Sequence, residues 1–397
     1  MGRKKKKETK NDFPIGRTCV GKNNDTDKQK VILGLYSPGG IVTNPSEAVR
    51  QVCQYLDWTW LSSGDSVFIK LACNSGKRHP AVTSANAVRG LCLELLDRGA
   101  GSVSAGDQAG VEYVRLAKGE KKAGSTRNLM KENELLNAIE DSGAKPHFFE
   151  EYGFDDGYFK ATIPFTDSKW PVRPYLARII KEVDHIIGLP RLSSHVLAGY
   201  THGHKNAVGW LREDSRHLMH FDAGSLHEKY TEVNYCNEIR DRYRMTITLA
   251  EKILLDAGPD IGTVADLKPW IIIASANLAY HDTLSVAVHA HIDNETPQNP
   301  SLEFIYDDNA IKYNRNFLNT NADSTGIPWE SEGSSAYTAL KTHQYQKGIS
   351  EDLALTHAYR ILGGMPDSIQ IKLLGEEPNS LLRSFLESYN KGIFALK

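Results

Sequence analysis

The chain has 397 residues, of which 40% are hydrophobic and 24% are charged, and its formal net charge is −2. This composition is typical of a soluble globular protein, and the small net charge excludes a general electrostatic attraction to nucleic acid or anionic membranes. No apolar run reaches the roughly 18 residues that can cross a membrane, so we expect a small-molecule partner.

The amino terminus, residues 1–29, is predicted to be a basic, disordered tail that leads into the folded protein. Its five consecutive basic residues, Arg3 to Lys7, precede Asp12, Phe13 and Pro14 rather than an apolar segment. This pattern fits neither a secretory signal nor a twin-arginine leader, so a cytoplasmic location is expected. RNA binding through the tail is the less favoured interpretation, since basic runs are more often solvated.

The cysteines indicate neither a disulfide framework nor an iron-sulfur cluster. There are five of them, an odd number, and no two stand at the two-residue spacing that zinc ribbons and ferredoxin clusters use. They are Cys19, Cys53, Cys73, Cys92 and Cys236.

Strand-like and helix-like segments alternate from residue 30 onward. Lys30–Leu35 and Val67–Lys70 are predicted strands, and the helix Pro80–Arg98 joins the second of them to a short strand at Ser102–Ala105. A strand, a helix and a strand within about forty residues indicate a parallel pairing. We therefore predict a three-layer α/β domain with a largely parallel sheet over residues 30–293.

Polar residues at the ends of these strands are candidates for binding. Lys70 lies at the end of one strand and Asn74 and Arg78 follow it, while Asp107 ends the next strand. Loops at the carboxyl ends of parallel strands bind ligands in open α/β sheets. We expect these residues to hold an anionic substrate or cofactor, although solvation is about as common for Arg78.

A dense histidine cluster follows the next predicted strand. Val183–Leu189 is a short apolar run that stops at Pro190, and six histidines occur in residues 195–227. Imidazole transfers protons near neutral pH and ligates metals. The cluster predicts a functional site with His195, Lys205 and Asn206 in its first loop, although a lone histidine is usually structural.

The last part of the proposed domain gives three further predictions. Thr246–Ala257 has a helical pattern, and Lys268–Ser275 is predicted as a strongly buried strand. Asp282 is expected to cap a helix over Thr283–His291, and His281 could join the site.

From Asn294 the composition changes, because asparagine, aspartate, threonine and proline dominate as far as about Glu332. We predict an irregular arm there, followed by a helix over Glu351–Leu362. Residues 294–397 are therefore expected to form an extension beyond the α/β domain.

The residues around the end of the predicted strand Val183–Leu189 and after it resemble the signature of the domain-of-unknown-function 362 family. In that family a strand ending in Leu-Pro is followed by a His, a Thr, a Lys-Asn pair and a Gly. The matching residues in this chain are Leu189, Pro190, His195, Thr201, Lys205, Asn206 and Gly209, and the segments Val67–Asn74 and Ser104–Asp107 resemble its first two strands. The resemblance covers about residues 60–290.

The segment HVLAGYTHGHKN is similar, more distantly, to the amino-terminal domain of the lactate racemase family. That resemblance implies an acid/base role for His195, attachment of a nickel-pincer nucleotide to Lys205, and nickel binding by His217 or His220. The chain departs from the racemases by lacking their Asp-Thr-Arg-Pro phosphate-binding motif.

Two functions of different class follow from these patterns. The first is a metal- or cofactor-dependent enzyme for a small anionic substrate, in which His195 and Lys205 face one pocket and perform acid-base chemistry. The alternative is a non-catalytic metal-binding or metal-delivery protein. Both use a divalent metal held by some of His202, His204, His217, His220 and His227.

Overall fold

The structure is a computed structural model that describes residues 30–119, 121–195, 198–221, 223–256, 258–297 and 348–396. The predicted basic tail and most of the predicted irregular arm lie outside the described residues, so both remain predictions.

Strands and α-helices alternate along much of the described chain. The strands are β1 (Lys30–Tyr36), β2 (Ser66–Leu71), β3 (Ser102–Asp107), β4 (Arg115–Ala117), β5 (Lys121–Ala123), β6 (Lys145–Phe148), β7 (Tyr158–Lys160), β8 (Tyr175–Ala177), β9 (His185–Leu189), β10 (Ser193–His195), β11 (Gly199–Thr201), β12 (Tyr243–Leu255), β13 (Thr263–Ser275), β14 (Ile369–Gly375) and β15 (Phe394–Leu396). The α-helices are α1 (Pro45–Cys53), α2 (Ala85–Asp97), α3 (Thr126–Glu132), α4 (Leu135–Asp141), α5 (Glu213–Phe221), α6 (Leu226–Asn234), α7 (Asn237–Arg240), α8 (Leu278–Glu295), α9 (Leu353–Ile361) and α10 (Ser380–Ser388).

One large sheet organises these elements. Its strands follow the order β15-β14-β1-β13-β12-β9-β2-β3-β6, with β10 paired to β12 and β11 paired to β10. Along the main path every pairing is parallel except the two made by β13, which runs antiparallel to β1 and β12. The predicted, largely parallel α/β sheet is therefore confirmed.

Helices cover both faces of the sheet, which confirms the predicted three layers. Successive side chains of a strand point to opposite faces, and in β2 the residues Val67, Ile69 and Leu71 enter the core beneath α1, α2 and α4. Phe68, between them, packs on the other face with residues of α5, α6 and α7. That second face is covered at the β1 side by α8, α9 and α10.

Two of the predicted elements differ from the observed ones. The segment predicted as a helix over Thr246–Ala257 is part of the long strand β12 as far as Leu255. The helix predicted to begin after Asp282 begins at Leu278, and Asn277 caps it by accepting hydrogen bonds from two backbone amides. Asp282 is therefore an interior helix residue, and its carboxylate is available for other contacts.

The described part of the predicted extension contributes to the main sheet. Strand β14 pairs in parallel with β1, and β15 pairs in parallel with β14. The predicted helix near 351–362 is present as α9. Within the described ranges, no helix combines the length and the apolar character that crossing a membrane requires.

Candidate functional site

The carboxyl ends of three parallel strands meet at one edge of the sheet. Strand β2 lies between β3 and β9, and all three run in the same direction. Lys70 comes from β2, Asp107 is the last residue of β3, and Arg191 follows β9. The topology thus brings the residues after these strands together, as the sequence pattern predicts.

Lys70 and Asp107 form a buried ion pair at this edge. The Lys70 Nζ lies 2.7 Å from Asp107 Oδ1, and their side chains are 1% and 5% exposed. Asn206 joins the pair, since its Oδ1 accepts from Lys70 Nζ at 3.3 Å and its Nδ2 donates to the Lys70 carbonyl at 3.0 Å. Burial lowers the pKa of Lys70, while Asp107 opposes that change. Lys70 is therefore in contact with two further predicted binding residues, Asp107 and Asn206.

Gly209 lets the chain pass directly over this ion pair. A Cβ atom at that position would overlap both the Asp107 carboxylate and the Lys70 ammonium. A larger residue at this position would therefore have to displace the ion pair beneath the short 3₁₀ helix His204–Trp210, which carries Lys205 and Asn206.

Lys205 and His195 lie within electrostatic reach of each other. Both residues are buried, at 8% exposure each. Burial lowers the pKa of Lys205 to about 7, and the neighbouring charges of Arg191 and Arg216 contribute. Burial and the charges of Lys205 and Arg191 also hold the pKa of His195 well below its usual range. Both side chains therefore have neutral forms accessible near pH 7.

The Lys205 ammonium has no hydrogen bond or ion pair with any of the described residues. A buried amine without a partner among these residues is costly, because its charged form has lost most of its water. Such a group is better explained as a functional one than as a structural one.

Arg191 and Arg216 approach this amine from different backbone segments. Arg191 Nη1 donates to the carbonyls of Pro80 and Pro259 at 3.2 and 2.9 Å. Arg216 donates only to carbonyls as well, those of Gln108, Ala109, Gly209 and Leu211. Among the described residues neither guanidinium has a carboxylate within ion-pair distance, so the site carries an excess of positive charge.

His220 and His227 belong to the same region. The pKa of His220 is lowered to about 3 and that of His227 to about 4, first by burial, with the charge of Lys205 contributing to both. His220 Nδ1 contacts the Arg216 carbonyl at 2.7 Å, and His227 Nε2 contacts the Ala198 carbonyl at 3.2 Å. Both imidazoles near Lys205 are therefore in their neutral form.

The other three predicted metal ligands lie in separate contacts. His204 is held at both ring nitrogens, by Asp282 at 2.7 Å and by the Tyr235 hydroxyl at 3.0 Å. His202 Nε2 contacts His289 Nδ1 at 3.1 Å. In α5, His217 Nε2 lies 3.4 Å from Glu213 Oε1 of the same helix.

The predicted metal finds no supporting ligand set at this edge. The part of the chain that the structure describes contains no group of three or more His, Cys, Asp or Glu side chains arranged to hold a metal ion. Arg191, Lys205 and Arg216 would also repel a divalent cation placed among them. The divalent metal and the nickel-pincer nucleotide therefore remain predictions.

Two predicted binding residues are engaged elsewhere. Asn74 Nδ2 donates to both carboxylate oxygens of Asp260 at 3.0 and 3.1 Å, in the turn between β12 and β13. Arg78 has a 68% exposed side chain and pairs with Glu134 at 2.9 Å. Asn74 thus ties the β12–β13 turn to the sheet edge, while Arg78 lies on the surface.

Arg191, Arg216 and Asp260 are residues of the site that the sequence did not single out. The position of Arg191 directly after the strand-ending Leu189-Pro190 pair is a usable signal, since the same argument selects other residues that follow strands. Nothing local marks Arg216 or Asp260, whose partners come from distant parts of the chain.

Comparison with known proteins places the chain in a family. No curated protein matches it. Among solved structures, it is similar to the lactate racemase apoprotein from Thermoanaerobacterium thermosaccharolyticum, with 12% identity, a TM-score of 0.39 and coverage of 64% of this chain. The match spans only 56% of the racemase chain.

A second similar structure is a structural-genomics protein from Thermotoga maritima. It has 11% identity and a TM-score of 0.37, and the match covers 91% of this chain and all of the other one. The model of the family described as "domain of unknown function (DUF362)" matches residues 67–287, which is more than half of the chain. The chain therefore belongs to the DUF362 family.

Proposed function

We propose that the protein is an enzyme that moves a proton on a small anionic substrate, with Lys205 as the base and His195 as its partner. The observation that carries this proposal is the buried Lys205 amine, which makes no hydrogen bond or ion pair with the described residues, has a pKa of about 7 and lies within electrostatic reach of Arg191 and His195. A general base works best when its pKa lies near the operating pH.

The surrounding charges support an anion as the substrate. Arg191 and Arg216 are buried, and among the described residues they hydrogen bond to backbone carbonyls and have no carboxylate within ion-pair distance. An anion bound beside them would supply such a countercharge. Its charge would also raise the pKa of His195, which burial and the charges of Lys205 and Arg191 hold down in the free protein.

The chemical step is a proton transfer in both directions. The neutral Lys205 amine takes a proton from the substrate, the electron pair of the broken bond stays on the substrate, and the resulting ammonium returns the proton. His195 would hydrogen bond to the same ligand and stabilise the charge that develops during the transfer. No oxidant or reductant is required.

The test is hydrogen exchange in deuterated water. The protein is incubated with a panel of small organic acids, and deuterium entering next to the carboxylate is followed by proton NMR. We expect exchange with the wild-type protein, and loss of at least about a hundredfold in Lys205→Met and in His195→Gln.

A surface lysine provides the matched control. Lys252 pairs with Asp266 on the exposed part of the β12–β13 hairpin, and its side chain is 45% exposed. Lys252→Met should exchange like the wild type. Exchange that survives in Lys205→Met, or that is absent for every acid, would overturn the proposal.

A further inference from the structure

Arg191 has an unused hydrogen-bonding edge inside a buried site. The residue is 3% exposed, and both of its hydrogen bonds use Nη1. Its Nε and Nη2 make no hydrogen bond with any residue that the structure describes. Two parallel N–H donors therefore remain on one side of the guanidinium.

We infer that Arg191 binds the substrate through this edge, and that the group it binds is a singly charged carboxylate. The inference rests on the proposed function and adds the chemical class of the ligand and the residue that selects it. The Nε and Nη2 groups form the fork that donates two parallel hydrogen bonds to the two oxygens of a carboxylate.

The position of Arg191 suits this role. Its charge contributes to the lowered pKa of both Lys205 and His195, and Pro259, which accepts its hydrogen bond, follows Gly258, which lies against the backbone of His195. The carbonyls of Pro80 and Pro259 fix its Nη1 from two different loops. A carboxylate held by Arg191 would therefore keep a neighbouring atom of the substrate close to the Lys205 amine.

The proposed base favours one negative charge over two. A carboxylate brings a single negative charge to the buried site, whereas a phosphate dianion would stabilise the protonated Lys205 and remove the base.

The first experiment measures binding of four probes to the wild-type protein by calorimetry: propionate, propionamide, ethanesulfonate and ethyl phosphate. We expect propionate to bind at least about tenfold more tightly than each of the others. Propionamide has the same shape without charge, and the remaining two offer tetrahedral anions. Equal binding of propionate and propionamide, tighter binding of ethyl phosphate, or no binding of propionate below about 50 mM would overturn the inference.

The second experiment uses Arg191→Lys, which keeps the charge but loses the fork. Propionate affinity should fall by at least about tenfold, with little change in the affinity for the other probes. Arg127→Lys is the matched control, because Arg127 pairs with Glu151 on the surface at 2.7 Å. Unchanged affinity in Arg191→Lys would contradict the inference. If that variant does not fold, the probe series on the wild-type protein decides alone.

The two proposals can fail separately. Arg191-dependent propionate binding without Lys205-dependent hydrogen exchange would reject the enzyme and keep the carboxylate site. Hydrogen exchange that depends on Lys205 but not on Arg191 would do the reverse.

Discussion

At the scale of single residues, the charge state of Lys205 links the site to the stability of the protein. Below about pH 7 Lys205 carries its proton in both the folded and the unfolded chain. Its buried charge then lowers the unfolding free energy by the largest amount. Above that pH the folded protein releases the proton, while the unfolded chain keeps it up to about pH 10.4. Stability should therefore rise with pH through this window.

Comparison of the wild type with Lys205→Met tests this linkage. One pKa unit corresponds to about 1.4 kcal/mol. The unfolding free energy of the wild type minus that of Lys205→Met should therefore rise by roughly 3 to 5 kcal/mol between about pH 6 and pH 10. Urea denaturation at several pH values measures it. Lys252→Met, on the surface, should show no such trend, and a flat difference for Lys205→Met would refute the depressed pKa.

The Lys70–Asp107 pair should behave differently, as a structural unit. Asp107→Asn leaves the Lys70 ammonium buried without its countercharge, and we expect a loss of roughly 3 to 5 kcal/mol in unfolding free energy. The double variant Lys70→Met, Asp107→Asn should lose much less than the sum of the two single variants. Additive losses in a double-mutant cycle would show that the two groups do not depend on each other.

Residue types and strand ends are enough to select part of the site from the sequence. Lys70, Asp107 and Asn206 converge because the three parallel strands converge, and the alternating segments predict a parallel sheet. The contacts of His204 are not predictable in this way, since its partners Asp282 and Tyr235 lie 78 and 31 residues away. The role of Arg191 could not be predicted in this way either, because its two carbonyl contacts come from loops that only the folded sheet brings together.

At the scale of elements, α8 fixes the start of the 3₁₀ helix that carries Lys205. Asp282 accepts hydrogen bonds from the backbone amides of Gly203 and His204 at 2.8 and 2.7 Å. It also contacts the ring nitrogens of His204 and His281, at 2.7 and 2.8 Å. These contacts hold the pKa of Asp282 far below its usual range, against the effect of burial. The residue before Lys205 is thus held at its amide and at its ring.

Replacing this carboxylate should loosen the lysine-bearing segment. Asp282→Asn has one acceptor oxygen where four donors converge, so we expect a loss of roughly 2 to 4 kcal/mol in stability. Amide hydrogen exchange of residues 203–210, followed by mass spectrometry, should become faster than in the wild type. Asp266→Asn, whose carboxylate is 69% exposed, is the control and should leave this exchange unchanged. Unchanged protection of residues 203–210 in Asp282→Asn would contradict the assignment.

Strand β12 shows why local patterns fail for one element. Residues 246–257 have a helical pattern, yet as far as Leu255 they form part of β12, which lies between β9 and β13 near the middle of the sheet. A strand covered on both faces shows continuous burial instead of alternation, as residues 245–250 do. Periodicity cannot distinguish such a strand from a buried helix. The irregular register between Ala250 and Lys252 interrupts what alternation remains.

At the scale of the whole molecule, the carboxyl-terminal segment completes the sheet. Strand β14 pairs with β1 over six residue positions, and Ile371 is fully buried in the core beneath α8 and α10. A chain truncated after residue 347 would leave one edge of β1 unpaired, although β13 would still pair with the other, and would expose that core.

We expect the truncated chain to be recovered mainly as insoluble protein, with soluble yield and circular dichroism as the measurements. Ile371→Ala provides a graded comparison, since a cavity at this position should cost about 2 to 4 kcal/mol without removing the strand. A truncated chain that unfolds cooperatively at the wild-type temperature would refute a structural role for β14.

The pairing of β1 with β14 also has a consequence for biosynthesis. The first and the fourteenth strands of the described chain are neighbours in space although they are far apart in sequence. Closing so long a loop is entropically unfavourable, and topologies rich in distant contacts fold slowly. During translation, one edge of β1 pairs with β13, while its other edge stays unpaired until β14 has left the ribosome. Other chains can pair with that open edge in the meantime. We therefore expect the need of the newly made chain for chaperones to depend on this open edge of β1 more than on the functional site.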